Sequence, residues 1–322
     1  MFLSCFLIFD SVDTHRLAFS LPIEKVHMNK FFGSRLLFLM MLGVSTTSYA
    51  TGSVSAPPAT MTESEAVSLV SNAKSGDAVA VQKLLDSARN NDPKAQTYLG
   101  AYLDMTGDHA QAADWYTKAA NQNVAWAQYK LGMMYVSGQG VPRDYARAAE
   151  WLKKAADQNV AEAQFQLGLL YANGSGVTRD YAVAVDYFRK AANQGNAMAQ
   201  NNMGVFYESG HGVPQDPAEA ADWYRRSAEQ GNSKAQNNLG VLYENGRGVP
   251  RDYIMAAEWY RKAAMQGSAR AQNNLGMLYD NGLGVPQDYA KAADWFHKAS
   301  EQGNTEAQKN LGVLYSTGLV KP

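Results

Sequence analysis

The sequence predicts an all-α solenoid, and three observations carry that prediction. A Leu–Gly pair (once Met–Gly) returns at residues 99, 131, 167, 203, 239, 275 and 311, with a first interval of 32 residues and five intervals of 36. A fixed period in this range marks a chain built from one stacked helical unit. Around each pair the apolar and small residues fall at helical spacing, as Ala235, Leu239 and Tyr243 do at i, i+4 and i+8. Nowhere does the periodic region carry the alternating β-branched runs of a strand.

Ahead of the repeats, residues 28–50 read as a secretory signal peptide. Lys30 and Arg35 supply the positive charges, Leu36 to Val44 the apolar run, and Ser48-Tyr49-Ala50 a small-x-small cleavage pattern with the cut after Ala50. The run is about half of the roughly 20 residues a membrane span needs. An uncleaved anchor is therefore the weaker reading, and no membrane span is expected after cleavage. Residues 1–27 lack a charged segment before their apolar start and read as an upstream extension, with Met28 as the start. The expected location is periplasmic or secreted. The one Cys, Cys5, precedes the cut, so the mature chain would have neither disulfide, Cys nucleophile nor thiolate metal site.

Residues 51–61 form a Ser/Pro/Ala-rich flexible leader. Residues 62–91 look like a degenerate unit of two helices broken at Gly76-Asp77, opened by a capping box of Thr62 and Glu65. Residues 92–318 hold six full units and a final first helix, and 319–322 are a tail. End units are expected to be atypical, because one face of each meets water.

Within a unit, the first helix (A) is the Ala-Gln-x-x-Leu-Gly-x-x-Tyr segment. Its glycine, Gly240 in the fifth unit, costs about 1 kcal/mol against Ala in a helix interior. Its return in every unit calls for another helix pressed against the backbone there. The second helix (B) opens on an Asp suited to N-capping: Asp108, Asp144, Asp180, Asp216, Asp252 and Asp288. In the fifth unit it carries Ala256, Trp259, Tyr260, Ala263 and Ala264, small residues for close approach and aromatics to fill space. Between A and B stands a Gly-x-Gly triplet whose middle residue varies: Gln139, Ser175, His211, Arg247, Leu283. Its glycines read as turn residues with positive φ. A phosphate cradle would need a strand before it and Lys-Ser/Thr after it, and neither is present. The first unit lacks four of these loop residues.

The motif Ala-Gln-x-x-Leu-Gly-x-x-Tyr-x-x-Gly-x-Gly-Val-x-x-Asp, followed by Ala-x-x-Trp-Tyr-x-Lys-Ala-Ala, resembles the Sel1-like repeat, a longer-looped relative of the tetratricopeptide repeat. The resemblance covers about residues 92–318. It implies a right-handed α/α superhelix with a concave groove lined by the A helices. It also implies an adaptor for protein complexes, exported in many bacterial cases, in envelope regulation or host contact. A cysteine-rich subset of the family is linked to penicillin binding and β-lactam hydrolysis, and this chain departs from it in having no Cys in its mature part.

By that geometry the groove side of helix A falls five and two residues before the Leu, and two and five after it. The second unit then presents Trp126, Tyr129, Met133 and Val136, and the third Glu162, Phe165, Leu169 and Ala172. The fourth presents Met198, Asn201, Val205 and Glu208. The fifth presents Lys234, Asn237, Val241 and Glu244, and the sixth Arg270, Asn273, Met277 and Asp280. Five of the six Trp hold one B position, whereas Trp126 alone falls on the groove. An aromatic anchor in a concave patch is a typical interface hot spot. The candidate contact residues are Trp126, Tyr129, Met133, Phe165, Leu169, Asn201, Asn237, Asn273, Lys234 and Arg270. Two readings stay open for the aromatic patch, partner binding or packing within a tight superhelix. Two stay open for the Asn column, binding peptide backbone or bridging neighbouring A helices.

A net charge of -1 and a pI near 6.5 leave no basic footprint for nucleic acid. His109, His211 and His297 stand in different units and roles, so no catalytic or metal constellation forms, and no cofactor is expected. The expected function is a scaffold binding a protein or peptide, not an enzyme. The alternative is a peptidoglycan- or β-lactam-binding envelope protein with weak hydrolase activity. A third reading is self-association through the open final helix.

Overall fold

The computed structural model describes residues 60–321. The expectations about the signal peptide, the start at Met28, Cys5 and most of the leader lie outside the described residues.

Fifteen helices and no strand stand among the described residues. A leading pair, α1 (Glu63–Lys74) and α2 (Ala78–Arg89), precedes the repeats. The A and B helices then alternate: α3 (Pro93–Thr106) and α4 (His109–Asn121), α5 (Ala125–Ser137) and α6 (Tyr145–Asp157), α7 (Ala161–Asn173) and α8 (Tyr181–Asn193). They continue with α9 (Ala197–Ser209) and α10 (Pro217–Glu229), α11 (Ser233–Asn245) and α12 (Tyr253–Met265), α13 (Ala269–Asn281) and α14 (Tyr289–Glu301). The final A helix is α15 (Thr305–Ser316). Each helix packs on its sequence neighbours, so the core runs as a chain of local clusters rather than one centre. No described helix is long and apolar enough to cross a membrane.

Local chemistry sets the ends of these helices. Thr62 and Glu65 close a capping box on α1. Every B helix of the repeats begins at the expected Asp, whose carboxylate accepts from backbone amides of the first turn. The A helices of units two to six end on the first glycine of the triplet in the left-handed region, with φ from 65° to 77°. The second glycine, also at positive φ, lies against the preceding unit. A Cβ on Gly248 would sit 2.1 Å from the Pro217 carbonyl oxygen. The amide of each capping Asp then closes the turn on an A-helix carbonyl, as Asp252 does on Tyr243 at 2.9 Å. The first unit keeps this bond, Asp108 to Leu103 at 2.9 Å, although its loop is four residues shorter.

The helical glycine has the packing reason its recurrence called for. A Cβ on Gly204 would lie 2.5 Å from the Tyr224 ring, and one on Gly240 2.6 Å from Tyr260. Tyr116, Leu152, Phe188 and Phe296 press on the other units in the same way. Gly312 of α15, the last described helix, meets nothing within 4 Å.

A buried polar ladder joins the units. The A-helix Gln donates from Nε2 to a carbonyl at the end of the preceding B helix: Gln128 to Ala120 at 3.2 Å, Gln236 to Ala228 at 3.0 Å. Its Oε1 then accepts from the Gln that ends its own unit's B helix: Gln158 to Gln128 and Gln266 to Gln236, both at 2.8 Å. Units one to six repeat the second bond. Buried amides cost stability unless they are hydrogen-bonded, and here each is.

Candidate partner-binding face

The column two residues before the Leu is not open surface. Its members Thr97, Phe165, Asn201, Asn237 and Asn273 are buried and Tyr129 is half-buried. Only Lys309, on the last described helix, is exposed. This column lies between successive A helices, so the exposed stripe is rotated from the one tetratricopeptide geometry implies. Phe165, 6% exposed, packs its ring 5.9 Å from Phe188 and belongs to the core, which removes it from the partner contacts.

The Asn column is corrected in the same way. Asn201, Asn237 and Asn273 are 7–8% exposed. Their Oδ1 atoms accept from the Asn of the next A helix: Asn238 to Asn201 at 3.2 Å, Asn274 to Asn237 and Asn310 to Asn273 at 3.1 Å. These bridges between neighbouring helices, and not open surface, account for the column.

Trp126 is 43% exposed on α5, with the half-buried Tyr129 ring 5.0 Å away and the Lys130 ammonium 5.4 Å over its own ring. Burial first, and Glu162 second, raise the Tyr129 phenol above its ordinary pKa. Met133 and Leu169 are half-buried beside them, and Lys234 and Arg270 are exposed. The aromatic patch is thus a pair with an apolar shoulder, not a trio.

The column two residues after the Leu forms the exposed apolar row. Ala101, Met133, Leu169, Val205, Val241, Met277 and Val313 follow one another along the A helices, all half-buried or exposed. Met198 adds an apolar side chain that is 51% exposed. Val205, Val241, Met277 and Met198 stood in the expected stripe but not among its contact residues. The signal that would have found the row was already present: this column is apolar in every unit, whereas the chosen Asn column is polar in only part of the chain.

Three residues beyond the row, on the same helical face, stand Glu208, Glu244 and Asp280. Glu208 accepts from the Tyr224 hydroxyl at 2.8 Å and from the Arg247 guanidinium at 3.1 Å. Glu244 accepts from the Tyr260 hydroxyl. Burial and these carboxylates hold both phenols well above their usual pKa. Asp280 faces Phe296 in place of a Tyr, and partial burial raises its carboxyl pKa. In the first unit the residue at this position is Asp104, one methylene shorter than Glu. It pairs with His109 at 2.7 Å, and the buried Tyr116 hydroxyl finds no partner.

The B helices carry a different regularity. Each places a Lys or Arg over the Trp or Tyr three residues earlier, from Lys118 over Trp115 at 3.8 Å to Lys298 over Trp295 at 4.3 Å. Two clefts open beside the turns, one between Tyr135, Pro142 and Arg147, the other between Glu150, Lys153 and Tyr171. The A-helix face itself is an open strip, which suits an elongated partner better than a small enclosed ligand. No group of three or more metal-ligating side chains converges among the described residues.

The Sel1 repeat model matches residues 93–124, 127–160, 161–196, 197–232, 233–268, 269–304 and 305–322. Among solved structures, one similar chain is a protective antigen present in uropathogenic Escherichia coli strains and displaying an SLR fold. It superposes with a TM-score of 0.71 at 42% identity, over 74% of this chain and 52% of that one, so this chain spans about half its length. A Sel1 repeat protein from Oxalobacter formigenes superposes with a TM-score of 0.63 at 40% identity, over 68% of this chain and 89% of that one. No curated protein matches the chain.

Proposed function

The chain belongs to the Sel1 repeat family, and on that premise we propose that it is an exported scaffold whose A-helix face holds a protein or peptide partner, in envelope regulation or host contact. Sel1 repeat proteins in general mediate protein–protein interaction and are typically not catalysts. The observation that carries the reading is the apolar row from Met133 to Val313, with Trp126 exposed beside it. Its side chains stand on a framework whose ladders are already hydrogen-bonded, so binding a partner need not reorder it. Export rests on the signal-like residues 28–50.

The test is affinity capture from envelope extract and from host-cell extract, using purified protein beside a Trp126→Ala/Val205→Asp/Met277→Asp variant. All three residues are exposed, so the helical circular dichroism should be unchanged and melting should fall by only a few degrees, from the like charge beside Glu208 and Asp280. A partner captured by the wild type and reduced by about 10-fold or more in the variant is expected, since central apolar anchors dominate interfaces. Equal capture by both proteins would move the site to the B helices or the turns.

A further inference from the structure

The later half of the A-helix face does more than offer apolar surface: it states a charge preference. Val205, Val241 and Met277 each have a carboxylate one turn on, at Glu208, Glu244 and Asp280. The molecule shows what such a carboxylate accepts. Glu208 holds a guanidinium, Arg247, which arrives from the Gly-x-Gly turn of the next unit, 39 residues away in sequence. The same turn position belongs to Leu283 for Glu244 and to Leu319 for Asp280. Glu244 therefore keeps only the Tyr260 hydroxyl. Asp280 loses even that, because Phe296 replaces the Tyr. The row runs from a carboxylate neutralised internally, through one half satisfied, to one whose partial burial already disfavours its charge.

We propose that this face, Val205, Val241 and Met277 with Glu244 and Asp280, docks an apolar peptide segment bearing arginine or lysine, its cations taking at Glu244 and Asp280 the place that Arg247 takes at Glu208. This rests on the proposed function and gives its partner a chemistry. The spacing fits such a segment. Packed helices lie about 8–10 Å apart. A peptide in the polyproline II conformation rises about 3.1 Å per residue and returns to the same face every third residue, or roughly 9 Å. Arginines at i and i+3 then meet successive carboxylates, with apolar residues between them on the Val and Met row. Lys234 and Arg270 stand ten residues earlier on the same two helices, about 15 Å away, so the preference is local to the Glu244 and Asp280 end of the face.

Fluorescence anisotropy with three labelled synthetic peptides tests this. All share one apolar sequence and carry Arg, Gln or Glu at i and i+3. The Arg peptide should bind about 10-fold more tightly than the Glu peptide, with affinity falling as salt rises. Glu244→Gln/Asp280→Asn should bring the three peptides to within about 2-fold of one another. Gln keeps an acceptor for the Tyr260 hydroxyl, so the fold is preserved. Arg247→Leu releases Glu208 and lengthens the row, and a peptide with a third Arg at i+6 should gain about 3-fold. Equal binding of the Glu and Arg peptides, a preference that survives the double variant, or no binding by any peptide would each overturn the proposal. The scaffold reading stands or falls separately, on whether the Trp126/Val205/Met277 variant loses its captured partner.

Discussion

Units two and three and units four to six share one backbone plan, but they hold it with different chemistry. Leading into the earlier pair, Asn123 or Asn159 follows the preceding B helix, with φ of 64° and 67°, and Val124 or Val160 stands at the N-cap of the A helix with no side-chain bond. In the later units Gly195, Gly231 and Gly267 make the same left-handed step before Asn196, Asn232 and Ser268, and those three side chains cap the helix. The earlier Asn does two jobs, since its Oδ1 also accepts from the Gln ladder: Gln128 and Gln158 reach Asn123 at 3.0 and 3.1 Å. The later units give up that acceptor, gain an N-cap, and bridge their A helices through Asn instead. A residue conformation can thus be bought with Gly or with a side chain that has its own partner, and each choice moves the compensating hydrogen bond elsewhere.

The largest expected difference between the halves lies at the helical glycine. In the second unit the Leu152 Cγ lies 2.8 Å from a Cβ built on Gly132 and its backbone nitrogen 3.3 Å, and this aliphatic chain has no hydrogen bond to hold it in place. In the fourth unit it is the Tyr224 ring, at 2.5 Å, held in place by its hydroxyl on Glu208. Overpacking costs about 1–3 kcal/mol and Ala regains about 1 kcal/mol of helix propensity, so Gly204→Ala should cost about 2 kcal/mol and Gly132→Ala should be roughly neutral. Urea denaturation of each variant measures both. Equal costs would mean that the Tyr is no better anchored than the Leu, and that this contrast between the halves is cosmetic.

How much of this the sequence discloses depends on how far apart the partners are. The Asp caps, the Gly-x-Gly turns and the alternation of A and B helices follow from residues within one turn of one another, and all are found where the spacing puts them. The Asn column is not placed by the sequence because its neighbours sit in the next unit, 37 residues away for Asn201 and Asn238, and Phe165 is not because its neighbour Phe188 stands on the B helix of its own unit. Helical phase fixes which residues share a stripe; it does not fix how far each helix is rotated against its neighbour. The Gln ladder went unread although its two columns, 30 residues apart, are both constant through the repeats. Two recurring buried amides at a fixed separation are a signal of pairing, since an unpaired buried amide would be selected against on energetic grounds.

Alkali should separate the halves next. The residue pressing on the helical glycine is Leu152 or Phe188 in units two and three, but Tyr224 or Tyr260 in units four and five. A phenol ionises near pH 10 in an unfolded chain. Folded Tyr224 and Tyr260 hold their protons well above that, because they are buried and face Glu208 and Glu244. Their stabilisation is whole below pH 10 and is lost as pH rises towards the folded pKa, at about 1.4 kcal/mol per pH unit for each Tyr. Tyr98 adds a smaller share over a bounded window, its pKa pushed up to about 12 by burial and by Glu63. Urea melts at pH 8 and pH 11 should show a steep loss in the wild type and a shallower one in Tyr224→Phe/Tyr260→Phe. Parallel losses would show that these two phenols do not set the alkaline limit.

The finest contrast is the left-handed step itself, and there the sign matters more than the size. Replacing Asn123 by Gly relieves a non-glycine residue of positive φ, worth roughly 1 kcal/mol. The same change removes the acceptor of Gln128 and Gln158, and each of those bonds contributes about 0.5–1.5 kcal/mol. The Gln128 bond is partly buried and the Gln158 bond exposed, so the sum should slightly exceed the relief. Asn123→Gly is therefore expected to destabilise by about 0.5 kcal/mol. The reciprocal change, Gly195→Asn, offers Gln200 and Gln230 the acceptor they lack and pays the strain in return. It should be neutral to stabilising by a similar amount, read as a shift in the urea midpoint at constant slope. Stabilisation by Asn123→Gly together with destabilisation by Gly195→Asn would reverse the ranking. The earlier units would then hold Asn in spite of its conformation, and the ladder would owe them nothing.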